Sequence, residues 1–353
     1  MTTAPDGEIM VRQEGALRRI TLNRPKALNA LTLGMAVEMT AHLRAWTSDP
    51  AVCVVLLDGA GDRGFCAGGD IRALYDASKT KSALPAEFWS TEYYLDVLIA
   101  RYPKPVVALM DGVVMGGGVG LSAHAAFRVV SERSAVAMPE VGIGFFPDVG
   151  ASFLLARCPG LTGTYLALTG DRMKAADAVY CGFADLHIAA AKLPELPAAL
   201  AECRTAVDVK RALAGMSTQP APGRLETARG WIDQCYAAES VEDIMYRLQA
   251  SGAAEPTAAA ATMSKASPTS LKVTLRNVRA AVSFKRMEQS FQQDFRIALA
   301  AIAGHDFIEG IRATIVDKDR NPKWRPHRLE EVTPDIVDRH FQPVGALELK
   351  FPD

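Results

Sequence analysis

Two stretches of this chain repeat one plan: a short apolar run that reads as a buried strand, a glycine-rich exit, and the start of a helix. In the first, residues 52–57 lead through GAGDRGFCAGG into a helix for which Asp70 is the expected N-cap. In the second, residues 106–110 turn at Asp111-Gly112 and leave through Gly116, Gly117 and Gly118 into the segment 117–124. Residues 127–131 are a third such strand. Strands alternating with helices argue for parallel pairing through right-handed crossovers, and hence for an α/β fold.

The flanking sequence fills in the organisation. Residues 9–11 and 17–22 read as a hairpin around Glu14-Gly15, followed by the loop NRPKALNAL and an amphipathic helix running through Trp46. After about Thr164 the pattern turns helical, with alanine-rich stretches at 175–179 and 193–213. TQPAPG at 218–223 and GAAEPTAAAATMSKASP at 252–268 read as loops or a mobile linker. Helical periodicity resumes over 268–315, and VDKDRNPKWRP at 316–326 breaks it. With 353 residues the chain can hold one large core plus an appended unit, expected as residues 1–220 and a helical C-terminal region, 221–353.

Composition narrows the partners. A formal charge of −1 supplies no global field for nucleic acid, so an anionic ligand must be held locally. The six cysteines show no CxxC pairs or zinc-ligand spacing, which fits a reducing cytoplasm. MTTAPDGEIMVRQEG contains acids and no apolar leader core, and no apolar run approaches the length that spans a bilayer. A soluble, unprocessed protein is the expectation, with no membrane partner.

The glycine cluster is spaced GxGxG, with Leu121 where a dinucleotide loop needs its third glycine, and no Lys-Ser or Lys-Thr pair follows as in a P-loop. Glycines alone more often serve close helix packing, but FCAGGD at 65–70 also aims backbone N–H groups from a loop into a helix start. Two such donors can grip one carbonyl oxygen as it gains negative charge, and a thioester carbonyl is a natural client. Ser122 lacks the second glycine of a nucleophile elbow. Cys66 reads as a packing residue and His124 as a core histidine, and no metal-ligand cluster is present, so no metal is expected. Glu140 and Asp148, each following a proline in an apolar setting, suit general acid, base or nucleophilic work, although capping a turn is an equal alternative for each.

These motifs resemble the crotonase (enoyl-CoA hydratase/isomerase) superfamily. The matching pieces are NRPKALNAL, FCAGGDI, KPVVALMDGVVMGGGVGLS, MPEVGIGFFPDVG and LALTGDRMKAADAVYCGFAD, which cover the first half almost continuously. The resemblance implies a spiral of ββα units with parallel strands, followed by a mainly helical C-terminal region. It puts the oxyanion donors at the N–H groups of Gly69 and Gly117. The path for adenine and pantetheine then runs along Lys26, Ala27, Leu28, Ala67 and Gly68, with Gly116 and Gly120 also binding substrate, and Lys26, Lys323 and Arg325 are candidates for the CoA phosphates. Hydratases of the superfamily carry one glutamate three residues after the middle glycine and a second in the PE motif; here the first place holds Gly120 and only Glu140 matches the second. The combination GGGVGLS, MPE, FPDVG and DFIEGIRATIVDKDRNPKW is similar to the 3-hydroxyisobutyryl-CoA hydrolase branch. This likeness implies a thioester hydrolase of valine breakdown, with Glu140 attacking or activating water and Asp148 assisting. CoA enters as part of the substrate, no separate cofactor is implied, and a homo-oligomer is allowed. An enoyl-CoA hydratase or isomerase is the alternative, and a CoA-binding protein without turnover the third reading.

Overall fold

A computed structural model of the protein describes residues 7–80 and 82–351. The first six residues of MTTAPDGEIMVRQEG, the stretch expected to hold no apolar leader, lie outside the described residues. The chain divides into two compact units: Met1–Gly69, Thr91–Ala137 and Met173–Gly223 form one, and Asp70–Ser90, Met138–Arg172 and Arg224–Asp353 the other.

The first unit holds two sheets. β1 (Ile9–Glu14) and β2 (Leu17–Leu22) form the expected antiparallel hairpin. β3 (Val54–Gly59) runs parallel to β2, and the chain then alternates between sheets through β4 (Gly64–Cys66), β5 (Val106–Met110), β6 (Val113–Met115), β7 (Phe127–Val130) and β8 (Ala135–Ala137), before β9 (Leu186–His187). The larger sheet has the order β1-β2-β3-β5-β7-β9 and the smaller one β4-β6-β8. Every pair after the hairpin is parallel, as the alternation of strands and helices implied. Each turn of the spiral therefore lays one strand in each sheet. The corner between β5 and β6 is just Asp111-Gly112, and turns stack so tightly there that a Cβ on Gly112 would lie 2.7 Å from the Arg63 carbonyl oxygen. Its φ of +71° is also one that glycine adopts without cost.

Side chains alternating along the larger sheet explain why its strands read as unbroken apolar runs. Leu17, Val54, Leu56, Val107 and Val129 pack against Leu196, Leu200, Val209 and Leu213 from the helices Leu196–Ala201 and Ala206–Met216. The intervening Ile20, Val55, Leu57, Val106 and Ala108 are also buried. Parallel strands covered on both faces need apolar residues at every position.

The second unit is helical. Its long members are Leu225–Tyr236, Pro268–Ala281 and Glu288–Ala303. Pro268 occupies the first turn, and the Ser267 hydroxyl accepts the Ser270 N–H, so the sequence marks this helix start twice. Residues 252–268, expected as a loop or mobile linker, instead contain the helix Ala254–Met263. Pro256 sits in the first turn, where its missing N–H breaks no intrahelical bond, and Pro256, Ala259, Ala260 and Met263 bury one face at helical spacing. Among the described residues no helix is long and apolar enough to cross a membrane.

Candidate active site

In the first unit the backbone brings two glycine-rich loops together. Gly117 opens the helix Gly117–Ala123, so its N–H belongs to the first turn and has no intrahelical acceptor. Gly69 pairs with Leu31 in an isolated parallel bridge in which the Gly68 carbonyl accepts the Leu31 N–H at 2.9 Å, and the Gly69 N–H takes no part in that bond. The loops approach so closely that a Cβ on Gly117 would lie 3.3 Å from Gly69 N, and one on Gly68 3.5 Å from the Met115 carbonyl oxygen. Gly68, at φ +116°, is in a conformation that only glycine takes readily. Gly116, the N-cap, and Gly120, buried in the helix, complete this loop.

The NRPKALNAL segment joins the same group. Ala67 N–H donates to the Leu28 carbonyl at 3.0 Å, which lays Leu28, and the turn Pro25–Ala27 that contains exposed Lys26 and Ala27, beside the FCAGGD loop. Buried Asn29 holds this arrangement: its Oδ1 accepts the Arg24 N–H at 2.9 Å, and its Nδ2 donates to the carbonyls of Ala60 and Gly64, each at 3.0 Å. Asn29→Ala should leave these groups unpaired and cost about 1–3 kcal/mol. Thermal melting checks this, and an unchanged melting temperature would mean the loop is held by other contacts.

Sequence reasoning missed Glu92. It lies on the helix Leu84–Ala100, is 2% exposed, and its carboxylate occupies the place that a Cβ on Gly117 would overlap. The signal was present: Glu92 and Asp96 are acids at helical spacing inside an otherwise apolar run, and both are buried. Cys66 is buried beneath the same loops; burial first, then the charge of Glu92, pushes its thiol up to about 12. A thiol that stays protonated is a packing residue and not a nucleophile. His124 is the C-cap of the helix Gly117–Ala123.

In the second unit, Glu140 begins a single 3-10 turn, Glu140–Ile143, whose backbone is closed by Phe145 N–H donating to the Glu140 carbonyl at 3.0 Å. Its side chain is buried, and Oε2 has no hydrogen-bond partner among the described residues. Burial and then the nearby Asp148 hold its pKa well above the usual carboxylate range. Trp89, Phe145 and Phe307 stack beside this turn, with Phe145 and Phe307 centroids 4.3 Å apart, and supply the apolar surround.

Asp148 is also buried, and it opens a turn that continues through Val149 and Gly150, both in the left-handed region. A second missed acid, Asp294 on the helix Glu288–Ala303, accepts the Gly150 N–H at 2.9 Å. Nothing local marks Asp294, because its partner stands 144 residues earlier. Of the two C-terminal candidates for the CoA phosphates, exposed Lys323 donates from Nζ to Asn321 at 3.0 Å. Arg325, also exposed, donates its backbone N–H to Asp306 at 2.8 Å and borders a cavity of about 390 Å³ floored by Phe145, Phe146 and Phe307. Asp70 caps the helix Ile71–Ser78 by accepting the Ala73 N–H, its expected role. No cluster of metal-ligating side chains occurs among the described residues.

Parallel ββα turns, two closely packed glycine loops, and the buried carboxyls of MPE and FPD are the features of one family. The chain belongs to the enoyl-CoA hydratase/isomerase family, whose model matches residues 17–341. Among curated proteins it is 42% identical over 355 residues to the mitochondrial 3-hydroxyisobutyryl-CoA hydrolase of Xenopus tropicalis, covering 99% of this chain and 92% of that one. The human protein of the same name is 40% identical over 351 residues, covering 98% and 91%. Among solved structures, a carnitinyl-CoA dehydratase from Mycobacterium thermoresistibile superposes with a TM-score of 0.94 at 45% identity, covering 98% of this chain and 99% of that one. An enoyl-CoA hydratase from Rhodobacter sphaeroides 2.4.1 gives 0.92 at 40%, covering 98% and 100%.

Proposed function

We propose that the protein hydrolyses the thioester of 3-hydroxyisobutyryl-CoA, or of a related short 3-hydroxyacyl-CoA, to the free acid and CoA. The observation that carries this reading is the extent of the likeness to curated hydrolases of that name, which runs through the helical C-terminal region as well as the glycine loops. In this reading the N–H groups of Gly69 and Gly117 hold the thioester oxygen as it becomes an oxyanion. Glu140 supplies the attacking oxygen or takes a proton from an attacking water; its raised pKa makes the ionised form a stronger base. If Glu140 attacks, a carbon–oxygen bond to its carboxylate forms, the carbon–sulfur bond breaks, and CoA leaves as the thiol after taking up a proton. Water then opens the mixed anhydride and restores the carboxylate.

Asp148 binds the 3-hydroxyl or assists water and the leaving thiolate, and Glu92, packed over Gly117, limits where the acyl group can lie. Lys26, Ala27, Leu28, Ala67 and Gly68 follow the adenine and pantetheine, Gly116 and Gly120 also line the substrate site, and Lys26, Lys323 and Arg325 are the candidates for the CoA phosphates. No cofactor is needed beyond the CoA of the substrate. The six cysteines have no CxxC or zinc-ligand spacing, in keeping with a reducing cytoplasm as the setting, and breakdown of valine is the process. The reading calls for no nucleic-acid or membrane partner, and a homo-oligomer is compatible with it.

A second reading, hydration of an enoyl-CoA, is favoured by the names of the two solved structures. Against it stands Gly120, where that chemistry uses a second acid. Incubation with 3-hydroxyisobutyryl-CoA and with crotonyl-CoA, following free thiol and loss of the enoyl chromophore, separates the two. Thiol release should exceed hydration by orders of magnitude, and faster hydration would overturn the hydrolase assignment.

A further inference from the structure

We propose that Asp294 is a positioning residue for the hydrolysis: its carboxylate clamps the turn that follows Asp148 and so fixes the place of the Asp148 side chain. The inference rests on the proposed role of Asp148 at the reacting group. Asp148 to Ala151 form a tight turn closed by the Ala151 N–H donating to the Asp148 carbonyl at 2.8 Å. Its central residues have φ +52° at Val149 and +72° at Gly150. Two successive left-handed residues make a turn of the I′ kind, which favours Gly, Asn or Asp at both central positions. A β-branched residue there is an outlier that persists only when its surroundings hold it.

Asp294 is what holds it. One carboxylate oxygen accepts the Gly150 N–H at 2.9 Å and the other accepts from Asn277 Nδ2 at 3.0 Å, while Asn277 Oδ1 accepts in turn from Gln293. Two residues on, the hydroxyls of Ser152 and Ser290 meet at 2.7 Å. The turn is thus tied to the helices Pro268–Ala281 and Glu288–Ala303. Asp294 is 0% exposed, and no cation pairs with it among the described residues. A buried acid without a counter-charge is costly, and its two hydrogen bonds are what offset that cost. Burial raises its pKa well above the ordinary range, and the charge of Asp148 adds to this, which places the two carboxyls within each other's field.

Three variants test the clamp through thiol release from 3-hydroxyisobutyryl-CoA, with thermal melting measured alongside. Asp294→Ala should lower kcat by roughly tenfold to a hundredfold with KM nearly unchanged, because it misplaces a reacting group without touching CoA. Adding Val149→Gly, which makes the left-handed turn locally favourable, should restore most of that kcat. Asp294→Asn should lose little, since its carbonyl can still accept the Gly150 N–H if the Asn277 and Gln293 amides reverse. A folded Asp294→Ala variant with wild-type kcat would overturn the proposal, as would a Val149→Gly addition that restores melting but not kcat. If the wild type releases no thiol, the hydrolase reading fails by itself, and hydrogen exchange at the Gly150 amide then decides the clamp. Faster exchange in Asp294→Ala supports it, and unchanged protection overturns it.

Discussion

Glu140→Gln should reduce turnover by roughly a hundredfold to ten-thousandfold while leaving the fold intact or firmer. Glutamine keeps the shape but can neither attack a thioester nor take a proton. Stability should move the other way, because Glu140 is buried with one oxygen unpartnered. Its pKa is raised first by burial and then by Asp148. Below the unfolded carboxyl pKa of about 4.3, both states of the wild type are protonated and the shift has no effect. As pH climbs from there, the unfolded chain ionises while the folded one stays protonated, so the wild type loses stability until pH passes the raised folded value. Glutamine does not titrate, so the melting temperature of the variant relative to wild type should grow across that window and level off above it. If the variant instead melts earlier at every pH and keeps its per-molecule turnover, Glu140 is a structural residue and the site assignment is wrong.

Gly117→Pro should lower kcat by roughly a hundredfold or more by removing one oxyanion donor. Proline is tolerated at the first position of a helix, where Gly117 stands, so the deleted N–H need not disturb the helix itself. Any side chain at this position also overlaps the Glu92 carboxylate, which makes Gly117→Ala the necessary companion. Alanine brings the same overlap and keeps the N–H. The difference in kcat between the two folded variants therefore isolates the donor, and equal activities would remove Gly117 from the mechanism.

The strands of the larger sheet up to β7 and the glycine loops were legible because local chemistry marks them, whereas the two-residue β9 was not. Apolar runs such as VVALM have no other stable place, and Asp70 caps the helix it precedes. The smaller sheet was not legible, since β4, β6 and β8 have three residues each and carry no periodicity. The helix Ala254–Met263 was hidden by its composition: alanine and proline look like linker, although the spacing of Pro256, Ala259, Ala260 and Met263 is helical. Glu92 and Asp294 escaped because an acid within a helix is usually solvated, and what makes these two unusual is burial against residues distant in sequence.

The interleaving of the two units bears on synthesis. The chain enters each unit three times, so neither can be completed before much of the other has been made. β9 joins the larger sheet only after the whole of Met138–Arg172 has been translated. When Phe145 and Phe146 leave the ribosome, Phe307, against which Phe145 stacks, is still unmade. A nascent chain in this state shows water an aromatic patch that its own C-terminus will later cover, and long-range closure of this sort is slow. The span between those two moments is where aggregation competes with folding, and where a chaperone has most to protect.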